Sequence, residues 1–503
     1  MKATRSLIRL ALLLFFCCPS LAALAQKRKV QPPVMKPDSL IASDSLLKDL
    51  YELKSAILES HVGPFTFCTE REFHDSFQRA ALYLKEKDRT YFEFAVATAQ
   101  AISVMKDSHT NVDFNHFIEL QLSNKGYFLP LRITSVENHL YLSTVRAVDS
   151  LNFPKVGCEL IKLNGVKLLP IYEKALTHSL TEGESITGKR RVADVQLTTL
   201  LGMYIPLDSL NELEIIPFGK TEPETVTVRA YDKAAFDERK KEIMKSDWLN
   251  TIQHRMLNDS VAYLKIGTFA PSDRKKFEKE LNAFFKEINK KQVPALVIDI
   301  RDNGGGSSTL VEHTFAYLTD QGYNTPSNII GRNSELALTR FPLLKHGFIR
   351  AGMKILYKRN EDIVAFARLA GKPFGVNDTL YFTKPAHHPK DEIYQGKCAL
   401  LVNGLSASAS VDFTNAFIKA KKGLVIGEPI MGPSKGTWGN STVKQLSRTK
   451  LRVNVATIRY NYDNSFQYIA TPIKPDLMVV PSQEDIATGT DAGLELAKQR
   501  ILK

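Results

Sequence analysis

The segment from Ala295 to Ile300 constrains the fold of this chain more than any other part of the sequence. Its residues are almost all apolar, without the polar alternation of a strand that has one face in water, and such runs lie in parallel sheets covered on both faces. Further strand-like and helix-like segments alternate around it: Val261 to Ile266, Ala399 to Val402, Ala409 to Ala420 and Leu424 to Ile426. This alternation predicts an α/β fold.

Apolar residues at helical spacing also predict amphipathic helices. One is expected between the first two core strands, with Ser272 as its N-cap. Three more are expected near the N-terminus, the second behind a Thr69-x-x-Glu72 capping box and the third running out at Asp107 to Thr110. The apolar face of the core helix is Phe277, Leu281, Phe284 and Ile288. The apolar faces of the three N-terminal helices are, in chain order, Leu46, Leu50, Leu53 and Ile57; Phe73, Phe77, Ala80 and Leu84; and Phe94, Ala97, Ala101 and Val104. We predict an N-terminal helical domain over residues 38–122.

Residues 123–230 change character and predict a small β domain. Tyr127 to Leu131 and Leu140 to Val145 are short apolar or alternating runs. The segment from Gly157 to Val166 has the pattern of a strand closed by an Asn164-Gly165 turn, because both turn residues tolerate a positive φ. This strand resembles one of the peptide-binding PDZ module, which implies a PDZ-like domain; a generic β domain is the alternative. The α/β core is then expected over residues 231–503.

The N-terminus has the pattern of a secretory signal. Its basic start (Lys2, Arg5 and Arg9) is followed by the apolar stretch Leu10 to Phe16, which is too short to span a bilayer, and by the small-x-small site Ala23-Leu24-Ala25. We expect a signal peptide over residues 1–25 that is cleaved near Ala25, and a linker over residues 26–37. The mature protein is expected to be exported, either periplasmic or secreted, and no later segment predicts a membrane span.

The cysteines allow one other interpretation of the N-terminus and bear on disulfide and metal binding in the rest of the chain. A lipoprotein anchored through Cys17 is the alternative to a cleaved signal, but the bulky Phe15 and Phe16 before it fit that pattern poorly. The cysteines that remain after cleavage have no metal-binding spacing and are expected to be buried free thiols. They are Cys68, Cys158 and Cys398.

The charge of the chain argues against a nucleic-acid partner. The formal net charge of +13 falls to +10 once residues 1–25, which hold three basic and no acidic residues, are removed. The lysines are scattered among acids, as in Lys85 to Asp88, which is typical of a solvated surface. The pair His387-His388 near Asp391 and Glu392 fits no common zinc spacing and is interpreted as a polar loop. No metal or organic cofactor is expected.

A glycine-rich segment follows the buried strand directly. Asp299-Ile300-Arg301-Asp302-Asn303 leads into Gly304, Gly305 and Gly306, and three consecutive glycines let main-chain N–H groups converge on one point. Such a loop near a helix start suits an anion or an oxyanion. The segment lacks the Gly-Lys-Ser/Thr ending of a phosphate-binding loop. A plain glycine turn remains the other alternative.

A second segment of small residues follows the next core strand. The turn from Leu405 to Ser410 contains Ser406, Ser408 and Ser410 and lies where a strand-to-helix turn can expose a hydroxyl. The small flanking residues permit close approach of a peptide carbonyl. Taken alone, such a run is most often only a helix cap.

Together these motifs resemble the C-terminal-processing (tail-specific) and tricorn-type serine peptidases. The matching segments are VIDIRDNGGG, LLVNGLSASAS with its following VIGEP, KDSHT, the PDZ-like strand and IKPDLMV, which span nearly the whole mature chain. The resemblance implies a peptidase core of ββα units in the crotonase-like or ClpP-like class, beside the helical and PDZ-like domains.

The resemblance also implies roles for single residues. Ser408, the middle serine of the turn, matches the nucleophile, which leaves the other two serines structural or capping. The N–H of Ala409 and one N–H from Gly304 to Gly306 match the oxyanion hole. Ser108 and His109 match the Ser-His pair of the tricorn-type branch, in which the imidazole takes the proton of the nucleophile.

Two departures from the family pattern leave the third member of a catalytic tetrad open. The processing branch carries a Glu shortly after the nucleophile, where this chain has Val411 and then Asp412. The tricorn-type branch carries a distal Glu, where this chain has Ser465 to Tyr468. The processing branch also uses a lysine base, and Lys435 is the alternative to His109, although it lies two residues beyond the family position.

We therefore predict an exported serine endopeptidase that hydrolyses peptides or proteins through an acyl-enzyme at Ser408. The missing acids keep open a catalytically silent binding protein of the same fold. An acyl-CoA enzyme on a crotonase-like core is a further alternative, which export opposes. The sequence leaves the substrate, the cleavage preference and the oligomeric state open.

Overall fold

The computed structural model describes residues 35–145, 153–245, 251–320, 326–339, 342–356, 364, 367–381 and 393–502. The predicted signal peptide with its cleavage point near Ala25 lies outside these residues, and so does the segment with His387, His388, Asp391 and Glu392. Within the described ranges, no helix combines the length and the apolar character needed to cross a bilayer.

The N-terminal segment forms the three predicted helices and one more. Their bounds are α1 Ser43–Ser60, α2 Glu70–Lys85, α3 Tyr91–Ser103 and α4 Asn115–Ser123, with the short strands β1 Leu40–Ile41, β2 Arg89–Thr90 and β3 Asn111–Val112. The capping box of Thr69 and Glu72 is present, and α3 ends before Asp107, which confirms both predictions. Strand β3 pairs with Val453 and Asn454, so this segment is tied to the far end of the chain.

An antiparallel sheet and two helices follow. The strands are β4 Leu131–Val136, β5 His139–Val145, β6 Glu159–Leu163, β7 Val166–Lys167, β8 Leu210–Ile216 and β9 Glu224–Arg229, in the order β4-β5-β6-β8-β9 with β7 paired to β6. The Asn164-Gly165 turn between β6 and β7 has φ values of +49° and +80°, which confirms the predicted hairpin turn. Helices α5 Leu168–His178 and α6 Ile186–Tyr204 were not predicted.

The rest of the chain is mixed α/β. In chain order it contains α7 Lys233–Lys245, β10 Ile252–Asn258, β11 Val261–Ile266, α8 Arg274–Lys290, β12 Ala295–Asp299, α9 Ser308–Phe315, β13 Asn328–Arg332, α10 Glu335–Thr339, a 3-10 helix Pro342–Lys345, α11 Gly347–Leu356, β14 Asn377–Tyr381, β15 Lys397–Val402, α12 Ala409–Lys419, β16 Gly423–Gly427, β17 Gly436–Gly439, β18 Thr442–Gln445, β19 Arg452–Val455, β20 Ile458–Asn461, β21 Leu477–Met478, α13 Gln483–Thr488 and α14 Ala492–Ile501.

The central sheet has the order β10-β11-β12-β15-β16-β21 and is parallel except for the β10–β11 pair. Every residue of β12 is buried. Leu296 and Ile298 pack with residues of α8, α9 and α12, whereas Ala295 and Val297 pack with residues of α14. The predicted strand with two covered faces is therefore confirmed. A second sheet, β14-β13-β20-β17, and a small one, β18-β19-β3, complete this part.

Two details differ from the sequence predictions. The N-cap of α8 is Asp273 and not Ser272, because the Asp273 carboxylate accepts a hydrogen bond from the N–H of Lys276 at 3.0 Å. Cys158 and Cys398 are buried free thiols as predicted, but the free thiol of Cys68 is only half-buried.

Candidate active site

Ser408 occupies the turn between strand β15 and helix α12, where it is the residue that precedes the first helical turn. Its backbone has φ +53° and ψ −119°, a conformation that is strained for any residue with a Cβ. A serine on a sharp strand-to-helix turn of this kind holds its hydroxyl exposed above the sheet. The turn therefore presents the Ser408 side chain at the carboxyl end of the central sheet.

The two neighbouring serines hold the turn in place. Ser406 and Ser410 are fully buried. The Ser406 hydroxyl donates to the carbonyl of Ile300 at 2.9 Å, and the Ser410 hydroxyl donates to the carbonyl of Asn303 at 2.8 Å. Both hydroxyls are thus engaged with the main chain of the glycine-rich segment, and neither is free to attack a substrate.

His109 approaches Ser408 from the segment that follows helix α3. Its Nε2 lies 3.2 Å from the Ser408 Oγ. The main chain of His109 is anchored, because its N–H donates to the buried carboxylate of Asp107 at 2.8 Å and its carbonyl accepts from the Ser441 hydroxyl at 2.7 Å. Asp107 is held in turn by the buried His61, at 2.9 Å. The imidazole is therefore placed by a fixed backbone.

A carboxylate that the sequence did not single out completes this chain of hydrogen bonds. Glu182, in the connection between α5 and α6, is fully buried, and its Oε2 accepts from the Ser108 hydroxyl at 2.6 Å. The Ser108 Oγ lies 3.2 Å from the Nδ1 of His109, which itself lies 3.5 Å from Glu182. Since the Ser108 proton points to the carboxylate, its oxygen accepts from Nδ1–H. Nε2 is then the unprotonated nitrogen, facing Ser408.

At the two places in the chain where the related peptidases carry a catalytic Glu, this protein has other residues, and these have other hydrogen-bond partners. Asp412, one turn after Ser408, is buried and accepts hydrogen bonds from the hydroxyls of Tyr462 and of Ser308, the latter at 3.0 Å. Burial raises the pKa of the Asp412 carboxyl to about 6. Ser465 bonds to Asp463 instead of the imidazole. Among the described residues, Glu182 alone has a carboxylate oxygen bonded to Ser108.

The glycine-rich segment lies directly against the serine turn. A Cβ on Gly305 would come within 2.7 Å of the Cβ of Ser408, and Gly305 has φ +103°, so only glycine fits there. The Gly305 N–H donates to the Asn303 side chain at 2.9 Å and is therefore occupied. Of the N–H groups predicted for the oxyanion hole, those of Gly304, Gly306 and Ala409 remain, and Ala409 is the first residue of helix α12.

The alternative base, Lys435, is engaged elsewhere. Its ammonium forms an ion pair with the carboxylate of Asp463. Within the described part of the chain, no hydrogen bond joins it to Ser408, whereas one joins Ser408 to His109. The described residues also contain no group of three or more His, Cys, Asp or Glu side chains that could hold a metal ion.

The charges around His109 set its protonation. Burial lowers its pKa, but the hydrogen bond and charge of Glu182 and the charges of Asp107 and Asp412 outweigh burial and raise the pKa above its ordinary value. A base must be unprotonated to act, so kcat/KM should rise with pH through this pKa. We expect the midpoint of the acid limb above about 6.5, the ordinary imidazole value.

A Glu182→Gln variant should move that midpoint to lower pH and lower kcat by about tenfold or more, because the amide removes the charge that stabilises the imidazolium and the acceptor of the Ser108 proton. A pH–rate profile of the variant measures both effects. Glu184→Gln is the matched control, since Glu184 lies two residues away, is exposed and pairs with Lys106. An unchanged midpoint in Glu182→Gln would contradict the assigned hydrogen-bond chain.

A hydroxyl on a strained strand-to-helix turn, an unprotonated imidazole nitrogen beside it and main-chain N–H groups opposite form the arrangement of a serine hydrolase. Residues 260–479 match the sequence profile described as Peptidase family S41. The chain therefore carries a peptidase family S41 domain and is a serine-type peptidase by class, which confirms the family resemblance. The matched range includes Ser408 and the glycine-rich segment, whereas Ser108, His109 and Glu182 lie outside it.

Comparison with solved structures finds one that shares this fold and a second of lower similarity. The crystal structure of mature CPAF is similar with a TM-score of 0.65 and 15% sequence identity, over 92% of this chain and 97% of that chain. The photosystem II D1 C-terminal processing protease has a TM-score of 0.42 and 17% identity, over 89% of this chain and 98% of that chain. At such identities the likeness to CPAF shows the fold alone. None of the curated proteins matches this chain in sequence.

Proposed function

We propose that this protein is an exported serine endopeptidase that hydrolyses peptide bonds through an acyl-enzyme at Ser408. The single observation that carries the proposal is the 3.2 Å contact between His109 Nε2 and Ser408 Oγ. The hydrogen bonds from His109 through Ser108 to Glu182 support it, because they orient the imidazole and stabilise its protonated form. The signal-like N-terminus supports export to the periplasm or the medium.

In the proposed reaction, His109 Nε2 takes the Ser408 proton while Ser408 Oγ bonds to the carbonyl carbon of the substrate. The N–H of Ala409, with that of Gly304 or Gly306, donates to the oxyanion. The C–N bond then breaks, and His109 gives its proton to the leaving amine. Water attacks the ester with His109 as base, the proton returns to Ser408 Oγ, and the new carboxylic acid leaves.

We further propose that the core belongs to the crotonase-like or ClpP-like class and that the segment 123–230 is a PDZ-like domain that delivers peptide. A groove with a volume of about 840 Å³ supports the second proposal. It lies between the start of strand β4 and helix α6, which contributes Val195, Thr198 and Thr199 to its wall. Leu405, three residues before the proposed nucleophile, also lines it.

A bulky side chain placed in this groove should slow the cleavage of long peptides most. Val195→Trp is expected to lower kcat/KM for peptides of ten or more residues by about tenfold or more and to affect a short ester far less, because the groove contributes remote binding. Val166→Trp is a matched control, since both valines are 40% exposed and Val166 lies in the β6–β7 hairpin outside the groove. Steady-state kinetics on both substrates measures the difference. Equal losses on both substrates would contradict peptide delivery through the groove.

The proposed activity is tested by labelling the mature protein with a fluorophosphonate probe and mapping the adduct by mass spectrometry. We expect a single adduct on the peptide that contains Ser408, because the probe reacts only with a serine activated by a base. A folded protein that takes up no label would favour the catalytically silent binding protein, and a label on another serine would move the nucleophile.

A further inference from the structure

His61 is a fully buried histidine that takes no part in the proposed reaction steps. It follows helix α1 directly, and its main-chain N–H donates to the carbonyl of Ile57 at 2.8 Å, which fixes the residue at the end of that helix. Both ring nitrogens have partners. Nε2 lies 2.9 Å from a carboxylate oxygen of Asp107, and Nδ1 accepts the main-chain N–H of Gly63 at 3.0 Å. The imidazole is therefore held in one orientation.

The hydrogen bond from Gly63 determines which nitrogen of His61 carries the ring proton. A main-chain N–H group can only donate, so Nδ1 must be the unprotonated nitrogen. The proton is then on Nε2, which donates to Asp107. A proton on Nδ1 would place two N–H groups against each other. His61 therefore presents a fixed hydrogen-bond donor to the Asp107 carboxylate.

The donor of His61 matches an ionised carboxylate. Asp107 is also buried, and its other oxygen accepts the main-chain N–H of His109 at 2.8 Å. Burial raises the pKa of Asp107, but hydrogen bonds, that of His61 first among them, outweigh burial and hold the pKa below its ordinary value. Asp107 is thus a buried negative charge, and its Oδ1 lies 3.9 Å from the Nδ1 of His109.

Other charges act on the same two groups. Besides burial, which lowers the pKa of His109, the carboxylates of Glu182 and Asp412 act on it as Asp107 does and raise it. The buried guanidinium of Arg459 interacts electrostatically with Asp107. All three of these groups remain when the donor to Asp107 is removed. A change in the titration of His109 on removal of that donor is therefore an effect through Asp107.

We propose that His61 is a positioning residue for the reaction. By donating from Nε2 it keeps Asp107 ionised, so that Asp107 both holds the main chain of His109 and stabilises the imidazolium that forms when His109 takes the serine proton. This inference rests on the proposed function. A packing role, in which the His61 ring only fills space 5.8 Å from the ring centre of Trp438, accounts for less, because it leaves the two bonded ring nitrogens unexplained.

The test follows the protonation of His109 directly. NMR of the mature full-length protein with isotope-labelled histidines gives the titration midpoint of His109, whose signal is identified by its loss in His109→Gln. We expect His61→Phe to lower this midpoint by about half a pH unit or more and to lower kcat by about fivefold or more, because a buried Asp107 without its donor takes up a proton. His61→Gln supplies an amide N–H of similar reach and should keep both values near those of the wild-type protein.

Two further measurements separate this effect from a general loss of structure. In Asp107→Asn the midpoint should already be low, and addition of His61→Phe should lower it little more, because His61 acts through Asp107. In wild-type protein, the nitrogen shifts of His61 should report a proton on Nε2 alone. His178→Phe is the matched control, since His178 is also buried but its Nε2 bonds to the Tyr204 hydroxyl and not to a carboxylate. It should leave the midpoint unchanged.

An unchanged midpoint in folded His61→Phe, an equal shift in His61→Gln or in the control, or a wild-type His61 with its proton on Nδ1 would overturn the inference. The wild-type nitrogen shifts and the Asp107→Asn midpoint decide the matter if His61→Phe does not fold. The titration reports on His109 even in a protein without activity. Fluorophosphonate labelling of the same samples reports separately on the proposed activity.

Discussion

A Ser408→Ala variant is expected to lose about 10⁴-fold or more of kcat while its Tm stays within about 2 °C of that of the wild-type protein. The loss is large because the neighbouring hydroxyls of Ser406 and Ser410 are buried and bonded to carbonyls, so neither can replace the nucleophile. The fold should be unaffected, because the substitution removes one oxygen from a half-buried side chain and leaves no core cavity. Peptide hydrolysis and thermal unfolding measure the two effects.

The matched controls are Ser406→Ala and Ser410→Ala. Each removes a buried hydrogen bond to a main-chain carbonyl that keeps one main-chain donor, a loss of about 0.5–1.5 kcal/mol of folding free energy, so both variants should have a lower Tm but keep most of the activity. The expected pattern is therefore a stable, inactive Ser408→Ala beside two less stable, active neighbours. A stable but inactive Ser406→Ala beside an active Ser408→Ala would place the nucleophile two residues earlier.

His109→Ala is expected to lower kcat by about 10³-fold or more, because it removes the only described base in contact with the Ser408 hydroxyl. Lys435→Ala should keep most of the rate. Its ammonium is paired with Asp463 and both side chains are partly exposed, and ion pairs of that kind contribute little to stability.

Kinetics of the two variants, with circular dichroism to check folding, separate the two candidate bases. An active His109→Ala together with an inactive Lys435→Ala would reverse the assignment and would require the lysine to leave Asp463 in the substrate complex. Loss of activity in both folded variants would mean that the serine is activated by a different arrangement from the one described.

Features with a local signal could be predicted from the sequence. The buried strand β12 was predicted from the run of residues from Ala295 to Ile300. The glycine-rich segment and the Ser408 turn each have fewer than ten residues. The Asn164-Gly165 turn is likewise encoded by two residues that tolerate a positive φ. In each case the backbone requirement and the residues that meet it lie together in the chain.

Features that depend on contacts between distant segments could not be predicted. Ser108 and Glu182 are 74 residues apart and meet only because the α5–α6 connection folds back onto the end of α3. Nothing in residues 179–185 distinguishes Glu182 from an ordinary polar loop residue, and the family pattern directed attention to Val411 and to Ser465.

The proposed catalytic groups come from three separate parts of the chain: the segment after α3, the α5–α6 connection and the β15–α12 turn. Ser408 and His109 are 299 residues apart. While the chain is unfolded, the serine is an ordinary alcohol with a pKa far too high to attack an amide. In the proposed mechanism, the completed tertiary structure is what turns it into a nucleophile, so we expect that a newly made chain cannot digest itself or its neighbours before it has folded.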